Sequence, residues 1–90
     1  MKYIGIDIAK SSFVAAFPKG EGYTTVTYKN DPNGIETFLS KLDQSLDHCV
    51  LEATGHYGAL LVEILLEADL SVSVINPKQI KHFAKVMRPL

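Results

Sequence analysis

Apolar and polar residues alternate from the start of the chain. In Lys2-Tyr3-Ile4-Gly5-Ile6-Asp7-Ile8 the isoleucines share one face and Tyr3, Gly5 and Asp7 the other, the period of two expected of a β-strand. Residues 12–17 and 23–28 are rich in β-branched and aromatic side chains, and Pro18-Lys19-Gly20-Glu21-Gly22 between them has hairpin-loop chemistry. These three segments predict an antiparallel meander. The period then changes. Asn30-Asp31-Pro32-Asn33-Gly34 reads as a turn, with Asp31 as N-cap and Pro32 at the first helical position. The helix it opens carries Ile35, Phe38, Leu39, Leu42 and Leu46 along one side. Residues 48–52 form a short apolar run ending in Glu52, a buried strand followed by the loop Ala53-Thr54-Gly55-His56. Residues 57–68 predict a helix apolar nearly all round, which requires cover on several sides. Residues 71–75 give a fifth strand, and Asn76-Pro77 opens a last helix from Lys78 to about Met87.

This succession, three meander strands and then helix, strand, helix, strand, helix, implies right-handed crossovers and parallel pairing in its second half. It predicts an α/β fold with a mixed five-stranded sheet and helices on both faces, for which the ribonuclease-H-like architecture is the common small analogue. Composition adds limits. Ninety residues, 47% apolar and 21% charged, make one domain with one modest core and no room for a separate substrate domain. A single cysteine, Cys49, excludes an internal disulfide framework and a cysteine-built zinc site. No apolar run approaches the ~20 residues of a membrane span, and Met1-Lys2 leads directly into a strand pattern, so the expectation is a cytoplasmic protein without membrane contact.

Chemistry enters with Asp7 and Glu52. Each closes an apolar strand, and in the expected fold the two strands are neighbours, so both carboxylates stand at one edge of the sheet. Adjacent carboxylates repel unless a cation lies between them. Mg²⁺ or Mn²⁺ suits such oxygen ligands, and paired divalent ions ~3.5–4 Å apart serve phosphodiester chemistry. Either acid taken singly is better explained as the cap of a following turn; it is their matching positions that point to a metal site. Gly5 leaves room beside Asp7, either for a ligand or for packing against a helix. Lys10, with Ser11 and Ser12, follows the first acid and Thr54, with Gly55, His56 and Tyr57, the second; both groups are candidates for phosphate contact, against the simpler readings of a polar turn and a helix cap. Cys49 is assigned to the core, and His48 and His82 receive no role.

The formal net charge of -1 conceals an asymmetry: all ten acids lie before Lys78, whereas Lys78, Lys81, Lys85 and Arg88 follow with no acid among them. Their spacing of three, four and three residues aligns them on one side of the last helix, a stripe able to neutralise several phosphates or simply to face solvent and complement the helix dipole.

Three blocks together carry a family resemblance: Ile4-Gly5-Ile6-Asp7-Ile8-Ala9-Lys10, then Leu51-Glu52-Ala53-Thr54-Gly55-His56-Tyr57-Gly58, then Val74-Ile75-Asn76-Pro77-Lys78-Gln79-Ile80-Lys81-His82-Phe83-Ala84. In order and spacing the chain resembles the N-terminal, RuvC-like domain of the DEDD transposases of the IS-one-ten (IS110) insertion sequences and the related Piv-type invertases. The resemblance implies a ribonuclease-H-type domain in which four acids hold divalent metal, with Asp7 matching the first and Glu52 the second. The last two acids, an Asp-x-x-Asp pair after the Asn-Pro helix, have no counterpart before Leu90, and neither does the C-terminal domain expected to supply a catalytic serine. The resemblance thus implies residues 1–90 of a DNA transposase, truncated before its last two acids and with little or no DNA cleavage alone. It further implies a homo-oligomer working with DNA and an element-encoded guide RNA. Two other classes compete. An actin-like kinase or ATPase also opens with a Gly-x-Asp strand, but Ala9-Lys10-Ser11 lacks the Gly-Thr phosphate loop. A non-catalytic module that self-associates or binds nucleic acid fits the apolar helix surface that truncation exposes.

Overall fold

A computed structural model describes residues 1–52 and 56–75. The expected strands all form: β1 (Lys2–Ile8), β2 (Ser12–Lys19), β3 (Gly22–Lys29), β4 (Asp47–Glu52) and β5 (Ser71–Ile75), with α1 (Pro32–Leu39) before β4 and α2 (Ala59–Glu67) before β5. They make one sheet in the order β3-β2-β1-β4-β5. Pairing is antiparallel for β1 with β2 and β2 with β3, and parallel for β1 with β4 and β4 with β5. This mixed sheet, meander first and crossovers second, is ribonuclease-H-like.

One face of the sheet holds the core. Ile4 and Ile6 of β1 lie level with Cys49 and Leu51 of β4, and Ile6 and Ile8 with Ala15 and Phe13 of β2. Ile35 and Phe38 of α1 and Leu61 and Leu65 of α2 pack onto these residues, so both described helices cover the same face. Phe38 is the centre of an aromatic group, with its ring centroid 5.3 Å from Phe13, 5.2 Å from Tyr28 and 6.0 Å from Phe17. Offset and edge-on contacts at these separations add to the area they bury. The helix expected to follow Pro77 lies outside the described residues, as do Thr54, Lys78, Lys81, Lys85 and Arg88.

The helix ends differ from the sequence expectation in ways that local hydrogen bonds explain. Asp31 caps α1 as expected, its Oδ1 accepting from Gly34 N at 2.7 Å, with Pro32 in the first turn. Gly34 is required there. A Cβ on it would lie 2.7 Å from Lys29 C and 2.9 Å from Lys29 N, and closer still to Lys29 O, so the first turn of α1 can rest on the end of β3 only without a side chain. Past Leu39 the helix stops, leaving Leu42 half-buried and Leu46 exposed instead of continuing the stripe. The segment that follows bonds to itself: Ser45 donates to Asp43 Oδ1 through its hydroxyl at 2.7 Å and its amide at 2.8 Å, which holds the Asp43 carboxyl below its ordinary range. Asp43 N donates in turn to Asp47 Oδ2 at 2.8 Å. Side-chain bonds of this kind compete with helix extension.

Helix α2 ends with Asp69 in the left-handed region, φ 59. Leu70 N donates to Leu65 O and Asp69 N to Leu66 O, both at 3.0 Å, the Schellman pattern with a buried leucine after the cap. The helix is less enclosed than its composition predicts: Leu61 and Leu65 are buried, whereas Leu60 and Leu66 stay exposed. Among the described residues no helix is long and apolar enough to cross a membrane.

Candidate functional site

The geometry of the acids follows from the register of the core. In the parallel pair β1–β4, Ile6 is level with Leu51, and both side chains are buried on the helix-covered face. Asp7 and Glu52 each lie one residue further, so they stand level with one another at the C-terminal ends of their strands and on the opposite face. Neighbouring strands run ~4.8 Å apart, which sets the separation of the two backbones. Asp7 is exposed and Glu52 half-buried. Among the described residues neither carboxylate takes part in a side-chain hydrogen bond or ion pair.

Among the described residues the surface beside them is open. Gly5 lies on the Asp7 face, level with Val50, and nothing comes within 4 Å of the place where its Cβ would be. Among the described residues, then, Gly5 leaves free approach to Asp7, and the helix that the second reading of Gly5 would pack here lies outside them. Farther back on this face, His48 and Ser73 share a hydrogen bond of 2.6 Å between Nε2 and Oγ, and the His48 ring meets Tyr3 edge-on at 5.5 Å. His48 thus ties β4 to β5 and to β1.

Two loops follow the acids. The first, Ala9 to Ser11, is closed by Ala9 N donating to Ser12 O at 2.8 Å and holds Lys10, which is exposed three residues past Asp7. The second leads into α2, whose N-cap is Gly58 and makes no side-chain capping bond. His56 and Tyr57 are exposed in this turn. The loops are joined by Asn30, which follows β3 on the same rim. Its Nδ2 donates to Tyr57 O at 2.8 Å, to Ala9 O at 3.2 Å and to Lys10 O at 3.5 Å. Sequence reasoning treated Asn30 only as a turn residue. Its partners lie 20 to 27 positions away, and no local pattern encodes them.

Chemically, the rim offers two hard carboxylate oxygen donors side by side, the type of ligand Mg²⁺ and Mn²⁺ prefer. Two acids fit part of such a site. Among the described residues no group of three or more His, Cys, Asp or Glu side chains is arranged to hold a metal. A separate groove of about 370 Å³, lined by Phe17, Pro18, Lys19, Thr24, Val26, Tyr28 and Lys41, lies at the hairpin end of β2 and β3, away from the acid rim.

Residues 4–89 match the family model of the DEDD transposases of IS110 elements, described as a transposase. Among curated proteins, the chain is 36% identical over 88 residues to the pilin gene-inverting protein of Moraxella lacunata and 33% identical over 88 residues to that of Moraxella bovis. Each match covers 92% of this chain and 27% of the relative, so the chain spans about a quarter of the length of these proteins.

Proposed function

The chain belongs to the DEDD transposase family of IS110 elements, and on that premise we propose that Asp7 and Glu52 are the first two ligands of a divalent-metal centre acting on DNA phosphodiesters. The observation that supports this reading is the register: Ile6 level with Leu51 makes the next residue of each strand a neighbouring carboxylate on an open rim. The relatives are named for inverting a gene, a rearrangement of DNA, which favours DNA as the substrate.

A bound Mg²⁺ or Mn²⁺ would polarise the phosphodiester and ease deprotonation of the attacking oxygen. The chain's own residues have distinct tasks. Asp7 and Glu52 hold the cation and balance its charge. Lys10, exposed in the turn after Asp7, and Thr54, after Glu52, contact phosphate near the rim. Lys78, Lys81, Lys85 and Arg88 neutralise DNA or guide-RNA phosphates further along the strand. In this reading the working assembly is a cytoplasmic homo-oligomer. Cation affinity rises with the charge and number of ligands, so residues 1–90 bind Mg²⁺ or Mn²⁺ weakly and do not cleave DNA alone.

Paramagnetic broadening of backbone amide NMR signals by Mn²⁺ tests the site. In the unaltered chain, signals next to residues 7 and 52 should broaden together with one midpoint. Asp7→Asn should raise the midpoint at Glu52, and Glu52→Gln the midpoint at Asp7. Independent midpoints would refute a shared cation. Mg²⁺-dependent nicking of supercoiled DNA above the level of the doubly substituted chain would refute the inactivity of these residues alone.

A further inference from the structure

The feature that the metal-site reading leaves unexplained is Asn30. It is half-buried at the end of β3, and because β3 runs in the same direction as β1, it shares the rim with Asp7 and Glu52. Its backbone N donates to Ser11 O at 3.0 Å, and its side-chain Nδ2 reaches Ala9 O and Lys10 O in the same turn. The same Nδ2 makes its shortest bond, 2.8 Å, to Tyr57 O in the turn that opens α2. One amide group thus bridges the segment after the first acid and the segment after the second.

The chemistry of the amide fixes its orientation. Three carbonyl oxygens face one end of the side chain, so that end must be the NH₂ group; turning it over would set an oxygen against them. Oδ1 is then left buried with no hydrogen-bond partner among the described residues. The donated bonds reach two turns 20 to 27 positions away in sequence, the arrangement of a strand-end residue that holds those turns at a set distance.

We propose that Asn30 is a positioning residue for the acid rim, clamping the turn after Asp7 to the turn that opens α2 and so fixing the spacing at which the two carboxylates meet a shared divalent cation. This rests on the metal-site reading above. Asn30 itself does not ligate the cation: its donor end is committed to carbonyls, and its effect passes through the backbone of the two turns. Removing the clamp leaves both acids on their strands, because β1 and β4 pair without it, but frees the turns to move independently.

The test is the Mn²⁺ midpoint, measured from amide signals next to residues 7 and 52, in Asn30→Ala and Asn30→Ser. Serine keeps one hydroxyl donor on a shorter side chain and serves as the milder variant. Both should retain the dispersed spectrum of the unaltered chain, with the midpoint raised about tenfold in Asn30→Ala, the scale on which supporting residues act on metal sites, and less in Asn30→Ser. Phe17→Leu, a core substitution at the hairpin end, is the stability control and should lower the melting temperature without moving the midpoint. An unchanged midpoint in folded Asn30→Ala overturns the proposal. So does an equal rise in Phe17→Leu, or loss of the folded spectrum in both Asn30 variants, which would make Asn30 a residue of the fold alone. The two readings fail separately. If Asp7→Asn leaves the Glu52 midpoint in place, the shared site is wrong; if it raises that midpoint and Asn30→Ala does not, only the clamp is wrong.

Discussion

Replacing Gly34 with alanine sets two effects of opposite sign against each other. Gly34 lies in the first turn of α1, and in a helix alanine is preferred to glycine by up to ~1 kcal/mol. Against this, the added methyl would sit 2.7 Å from Lys29 C and closer still to Lys29 O, so the helix or the strand end must retreat by more than about 1 Å to restore ordinary contact. The obstacle is backbone at the end of a paired strand, with Lys29 level with Ser12 in the ladder, so it cannot swing aside as a side-chain tip would. If α1 moves instead, Ile35 and Phe38 lift from the core, and the Asp31–Gly34 cap bond of 2.7 Å is lost. Overpacking costs about 1–3 kcal/mol and a lost cap about 1 kcal/mol, so steric conflict wins by roughly 1–3 kcal/mol. For a domain of this size that lowers the melting temperature by about 5–20 °C. Thermal and urea unfolding followed by circular dichroism measure it. A Gly34→Ala chain as stable as the original, or more so, would refute the close approach of α1 to β3.

Two further outcomes follow from the core. Burial pushes the Cys49 thiol up to about 12, with a smaller contribution from the Asp47 charge, so the folded chain keeps this proton above the ordinary thiol range while the unfolded chain loses it. Stability should therefore be undiminished below about pH 8.5 and fall by up to ~1.4 kcal/mol per pH unit above it; Cys49→Ala should remove most of that slope between about pH 8.5 and 9.5, below the range near 10 where ionisation of Tyr28 in the unfolded chain, opposed by burial in the folded one, adds a loss of its own. A slope that persists in Cys49→Ala would contradict this assignment. Phe38→Ala, which empties a fully buried site touching Phe13, Phe17 and Tyr28, should cost about 3–5 kcal/mol in urea unfolding, and a loss below 1 kcal/mol would show that the aromatic group is not the centre of packing.

Much of this was legible in the sequence because it depends on local period and local chemistry. Ile4, Ile6 and Ile8 alternate with polar positions and fix the buried face of β1; Asp31-Pro32 carries its own capping chemistry and starts α1 where expected. The matching heights of Asp7 and Glu52 were also readable, since each is the first acid after an apolar strand and parallel neighbours begin in step. What could not be read depends on competition or on distance. Leu42 and Leu46 continue the helical stripe in sequence, yet the Asp43–Ser45 turn captures the backbone first. The exposure of Leu60 and Leu66 is decided by which face of α2 meets the sheet, and composition does not specify that. The role of Asn30 arises only when three separate segments meet at one rim.

The pairing of Ile4 with Cys49 and Ile6 with Leu51 works as a gauge for the acid pair above it. Because side chains change sides at every step along a strand, inserting or deleting one residue in either strand would turn one carboxylate toward the helices while the other still faced out. Turns beyond the rim can lengthen or shorten without disturbing this height. The number of residues from the greasy interior to the last acid of each strand cannot, so the side of the sheet on which each acid stands is decided by the interior, whatever the neighbouring turns then do to the spacing between the two.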